Sequence, residues 1–112
     1  MTRRERYMLM ANESLRDAAA PWTSPSRKPA VAFDGAYFAL LSALPEDLVR
    51  LSSDHPCPQL ASCGAHALGL QDSDASLAQV LARTRVYPTD WVGSTVLDWA
   101  RRVIAAGSAV ED

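Results

Sequence analysis

The sequence is poor in the residues that build sheets, crosslinks and polyanion-binding surfaces, holding one isoleucine, two cysteines and one lysine among 112 residues. Strands favour β-branched and aromatic side chains. Here one isoleucine stands against nineteen alanines and thirteen leucines, a helix former's composition. No segment alternates apolar and polar residues for long enough to read as a strand. The single lysine, Lys28, is joined by ten arginines, yet the net charge is −2 and the pI about 5.6. That balance excludes a nucleic-acid binder working by bulk electrostatics. The arginine excess would suit phosphate or carboxylate recognition, but it equally reflects a GC-rich genome, and the second explanation is the simpler one. No apolar run reaches the roughly 18 residues needed to span a bilayer. The N-terminal MTRRERYMLM leads directly into the charged NESLRD, which is not the pattern of a secretory signal. A cytoplasmic protein is therefore expected, with both cysteines reduced. No Gly-rich phosphate loop, Ser-His-Asp order or paired carboxylate motif is present.

What remains is material for one helical domain. At 48% hydrophobic and 21% charged, the chain can bury a core unaided, while 112 residues divided in two would leave cores too small to persist. The expected fold is all-α: a single-domain bundle of four to five main helices plus a short connecting helix, over residues 1–107, with 108–112 a frayed tail. Thr2 and Glu5 have capping-box spacing and open a first helix from Arg3 to about Ala20, its inner stripe Met8, Ala11, Leu15 and Ala18. Pro21 stops it. The second helix, about 29–44, contains AVAFDGAYFALLSAL. Being apolar on most sides, it belongs at the centre of the bundle, with Phe33, Tyr37, Leu40, Leu41 and Leu44 buried. Gly35, which costs about 1 kcal/mol in a helix relative to Ala, implies close approach of a neighbouring backbone. Pro45 begins the short helix. A fourth, about 59–68, ends at Gly69. Asp74 caps a fifth, about 75–86, with Leu77, Val80, Leu81 and Thr84 inward. The last begins near Asp90, carries the stripe Val92, Val96, Trp99 and Val103, and closes with Arg101 and Arg102 before Gly107.

Three clusters could carry chemistry. His55, Cys57, Cys63 and His66 lie within twelve residues, and two thiolates with two imidazoles make a legitimate tetrahedral zinc set. The spacing lacks a Cys-x-x-Cys knuckle, so a buried structural cysteine and ordinary histidines are the competing reading. Arg50 and His55, separated by LSSD, could hold a phosphodiester and move its proton, or be a helix-end arginine and a loop histidine. Trp22 and Trp91 could each cover an end of the bundle or anchor a partner, whereas Trp99 falls on the inner stripe. Met8, Leu48, Leu51, Trp91, Leu97 and Ile104 lie off the main stripes, and some are expected to stay exposed in a monomer.

The order of elements resembles the bacterial HEPN domains, four- to five-helix bundles of toxin–antitoxin, nucleotidyltransferase-associated and stress systems. The segments that carry the likeness are ANESLRDAAA closing the first helix, AFDGAYFALLSAL, His55 after it, LAQVLARTRVY, and LDWARRVIAA. The nucleolytic members carry an Arg, four to six residues, then a His near the start of the closing helix. Here that region reads ARTRVYPTDWVG and has no His; Arg50 and His55 reproduce the spacing in a different loop. The resemblance thus implies a non-nucleolytic member. The leading expectation is a non-enzymatic interaction module without a cofactor, forming a homodimer or binding a small protein partner, with Trp91, Trp22 and Met8 as contact residues and no role for a membrane or nucleic acid. A small ribonuclease using Arg50 and His55, and a zinc-stabilised domain using His55, Cys57, Cys63 and His66, are the alternatives.

Overall fold

The computed structural model describes residues 1–51, 56–84 and 94–110, with the side chains of Leu51, Thr84 and Ser94 left aside. The expected all-α class is what it shows. In chain order the helices are α1 (Arg3–Ala19), α2 (Lys28–Ser42), α3 (Glu46–Leu51), α4 (Pro58–Ala67), α5 (Asp72–Thr84) and α6 (Ser94–Ala109), with no strand among the described residues.

The ends of α1 follow from local chemistry. Thr2 is the N-cap, its Oγ1 accepting from the Glu5 N–H at 3.1 Å, which satisfies one of the four amides a helix start leaves unpaired. At the other end Lys28 reaches back and donates to the carbonyls of Ala18 (3.1 Å) and Ala20 (3.0 Å). The chain's single lysine thus closes α1 with a cation on the carbonyls where the helix dipole is negative.

Ten of the fifteen residues of α2 are buried, which places it at the centre, packed against α1, α4 and α6. Gly35 does what its cost implied: a Cβ there would lie 2.9 Å from the Ala11 carbonyl oxygen, so the missing side chain is what lets α1 and α2 approach. Around it Phe33, Tyr37, Leu40, Leu41 and Leu44 are all buried. Phe33 stacks on Trp99 of α6, ring centres 6.1 Å apart and planes 9° from parallel, within the geometry aromatic pairs prefer. Trp99, Val96 and Val103 are fully buried; Val92, the fourth residue of that stripe, lies outside the described residues.

Helix α4 ends in a Schellman motif. Gly69 has φ of +74°, a left-handed conformation that glycine adopts without penalty. The Gly69 N–H donates to His66 and the Leu70 N–H to Ala65, both at 3.0 Å, the two bonds that define the motif.

Four expectations need correction. Helix α5 starts at Asp72 rather than Ala75, because the Gln71 carbonyl accepts the first turn's amides from Asp74 (3.0 Å) and Ala75 (3.1 Å). Asp74 is therefore inside the first turn and serves α6 instead: its carboxylate accepts from Arg102 at 2.9 Å and its carbonyl from Trp99 Nε1 at 3.2 Å. Val80, expected inward, is 44% exposed, since only the Ala78, Leu81 and Ala82 side of α5 meets the core. Gly107 does not terminate α6, which continues to Ala109. It is buried against Met8, and Arg4 ties the helix end down by donating to the carbonyls of Gly107 (2.6 Å) and Val110 (2.7 Å). Ser108 and Ala109, expected in the tail, belong to α6. Finally, Ile104, expected among the open apolar residues, is 3% exposed, and Met8, expected both on the inner stripe of α1 and among the open residues, is 8% exposed and keeps the first of these places.

Candidate functional site

The sequence-predicted site residues do not come together. Arg50 is on the surface of α3, where its guanidinium donates to Glu46 Oε1 at 2.8 Å, both side chains more than half exposed. Its intended partner His55 lies outside the described residues. Cys57 precedes α4 and is buried, its amide donating to the Tyr37 hydroxyl at 2.8 Å. Burial pushes the Tyr37 hydroxyl above its usual pKa, and the hydrogen bond from the Cys57 amide opposes that only in part. Cys63 and His66 share an exposed face of α4, pointing away from the core that takes Cys57. Among the described residues no three His, Cys, Asp or Glu side chains are grouped to hold a metal, and His55, the fourth of the proposed ligands, is not one of them.

Of the three contact residues, Trp22 is 79% exposed in the loop between α1 and α2, beside a shallow depression of about 390 Å³ that Asp17, Thr23, Ser24, Arg27 and Val31 also line. Trp91 lies outside the described residues. Met8 is turned into the core, where its sulfur accepts from the Ser42 hydroxyl at 3.5 Å. Of the other residues expected in the open, Leu48 is 40% exposed and Leu97 half-buried.

The apolar surface lies elsewhere, on the outside of α1. Leu9 (49%), Met10 (36%) and Met1 (81%) are exposed, and they line an open groove of about 590 Å³ with Arg3, Arg6, Tyr7 and Glu46. Tyr7 forms part of the wall because its ring stacks on Phe38 of α2, centres 6.2 Å apart. Arg3 is fixed there too: its guanidinium lies 5.5 Å above the Tyr7 ring and donates to the Leu44 carbonyl at the end of α2. The groove therefore has an apolar floor, with a held cation and the Glu46 carboxylate at its rim. Nothing in it resembles a catalytic constellation. Its lining holds no Ser, Cys or His, and neither Arg6 nor Glu13 on this helix has an ion-pair partner among the described residues.

Sequence reasoning chose Met8 from the run Met8-Leu9-Met10 and passed over its neighbours. The signal was available in one form. Three successive apolar residues sweep about 200° of a helix, so they cannot all face one core.

Compared with family models, with curated proteins and with solved structures, the chain matches none.

Proposed function

We propose that this chain is a non-enzymatic, HEPN-like helical interaction module that associates with a second copy of itself, acting in the bacterial cytoplasm. The observation that carries the reading is the outer face of α1. Leu9 and Met10 stand in water beside a groove that Met1 and Tyr7 extend, on a helix whose opposite side already supplies Met8, Ala11 and Ala18 to the core. Contiguous apolar patches of more than a few hundred Å² on a soluble domain usually mark an interface, and a symmetric dimer is the commonest way to cover one. The HEPN-like character rests on the sequence resemblance, and the all-α bundle is compatible with it. Among the described residues no helix is long and apolar enough to cross a membrane.

The alternatives start from less. Arg50, the phosphate-holding group of the ribonuclease reading, is engaged by Glu46. Cys57, a ligand in the zinc reading, faces the core while Cys63 and His66 face solvent. Sedimentation equilibrium of the purified chain at micromolar concentration tests the proposal. A particle of twice the 12.1 kDa chain mass is expected. A monomer at every accessible concentration would refute self-association.

A further inference from the structure

Arg6, Leu9, Met10 and Glu13 follow one another at i, i+3, i+4 and i+7, the spacing of a single helix face, and all four are exposed. They lie opposite the buried Met8, Ala11 and Ala18. On this face the order is cation, two apolar residues, anion. Such an order is its own complement when reversed. A two-fold axis passing between positions 9 and 10 would set Arg6 of one copy against Glu13 of the other, and Glu13 against Arg6. Leu9 would then meet its own counterpart on one side of the seam, and Met10 its counterpart on the other.

We infer that the chain dimerises by packing α1 antiparallel against α1 of a second copy, with Leu9 and Met10 at the centre and two Arg6–Glu13 pairs flanking them; this rests on the self-association reading above. Other charges of the helix bear on that register. Arg4, which would add to the positive charge of the first turn, is turned away to Gly107 and Val110, while Arg3 is held by Leu44 and Tyr7 at the rim of the groove. Arg6 is the exposed cation beside the apolar pair, and Arg16, also exposed, lies one turn beyond Glu13. At the other end Asp17, also exposed, falls beside the first turn of the partner's α1, where the helix dipole is positive. Arg6 and Glu13 are about 10 Å apart along the axis at 1.5 Å per residue, which leaves room for the apolar pair between them.

Charge reversal tests the register. Arg6→Glu and Glu13→Arg each turn both flanking attractions into repulsions, and each variant should dimerise about tenfold to a hundredfold more weakly than the parent chain at low ionic strength. Mixing the two variants in equal amounts restores both pairs. The glutamate introduced at position 6 of one chain then faces the arginine introduced at position 13 of the other, and the original Glu13 faces the original Arg6. The mixture should therefore regain near-parental association, and so should the doubly reversed chain. Far-ultraviolet spectra establish that the variants are folded. If the single variants dimerise as tightly as the parent, or if the mixture is no tighter than either alone, this contact is wrong while self-association stands. If the parent chain is monomeric, both fall.

Discussion

Helix α4 can lie where it does only because residue 64 has no side chain. A Cβ at Gly64 would stand 2.5 Å from the Leu40 carbonyl oxygen, 2.8 Å from Leu40 Cβ and 2.9 Å from its carbonyl carbon, all far inside ordinary contact. The obstacle is largely the backbone of α2, itself packed against α1 and α6, so it cannot rotate aside. Gly64→Ala thus requires α2 and α4 to separate by several tenths of an ångström or more. Overpacking of this kind costs about 1–3 kcal/mol, and the rigid obstacle puts the cost in the upper part of that range. Replacing glycine by alanine inside a helix returns about 1 kcal/mol. The net expectation is a loss of about 1–2 kcal/mol.

Gly107 provides the control. It too is buried inside a helix, but its added Cβ would meet the sulfur of Met8 at 2.9 Å and its terminal methyl at 3.1 Å. A methionine end has three rotatable bonds and adapts, so the steric cost falls to about 1 kcal/mol and the gain in propensity offsets it. Gly107→Ala should lie within about 0.5 kcal/mol of the parent. Urea denaturation read by circular dichroism gives both values, with an unchanged slope showing that only stability moved. If Gly64→Ala is as stable as Gly107→Ala, then α2 and α4 do not cross at Leu40 and the account of the core is wrong.

Two further outcomes depend on the same core. Leu40 is fully buried, so Leu40→Ala should cost about 2–5 kcal/mol, and a loss below about half a kcal/mol in the same titration would make α2 peripheral. Tyr37 has a raised pKa, chiefly through burial. The stability its neutral hydroxyl contributes is fully present below the unfolded value near 10 and is lost as pH rises through the higher folded value. Tyr37→Phe should flatten that alkaline decline and, by leaving the buried Cys57 amide without its acceptor, cost about 1–3 kcal/mol at neutral pH; an unaltered alkaline limb would remove Tyr37 as its source.

The features legible in the sequence are those that local chemistry decides. Thr2, Pro21 and Gly69 mark helix ends through groups on their own or adjacent turns, and the structure keeps each of them. Gly35 was legible for a related reason, since a glycine in an otherwise apolar helix has few explanations besides close approach. Where tertiary contacts outvote local preference, the reading fails. Asp74 has the side chain of an N-cap, yet its carboxylate is bound by Arg102, 28 residues further along the chain, and the helix begins earlier. Gly107 looks like a terminator beside Arg101 and Arg102, but the helix runs through it, and Met8 occupies the space a side chain there would need.

The phase of α1 was legible in its inner stripe of Met8, Ala11, Leu15 and Ala18, which turns Leu9 and Met10 outward because each residue advances the helix by about 100°. That phase is set where α1 crosses α2, at the contact between Ala11 and Gly35. With Ala11 fixed inward, Met8 follows it one turn earlier and closes over Gly107. Leu9 and Met10 are then carried to the outside along with Arg6 and Glu13. The outward apolar pair is thus a consequence of the glycine in α2. A helix that needed only to cover this core could have had polar residues at 9 and 10 at no cost to the interior. The interior does not call for their presence between a cation and an anion; the two-fold contact proposed above would.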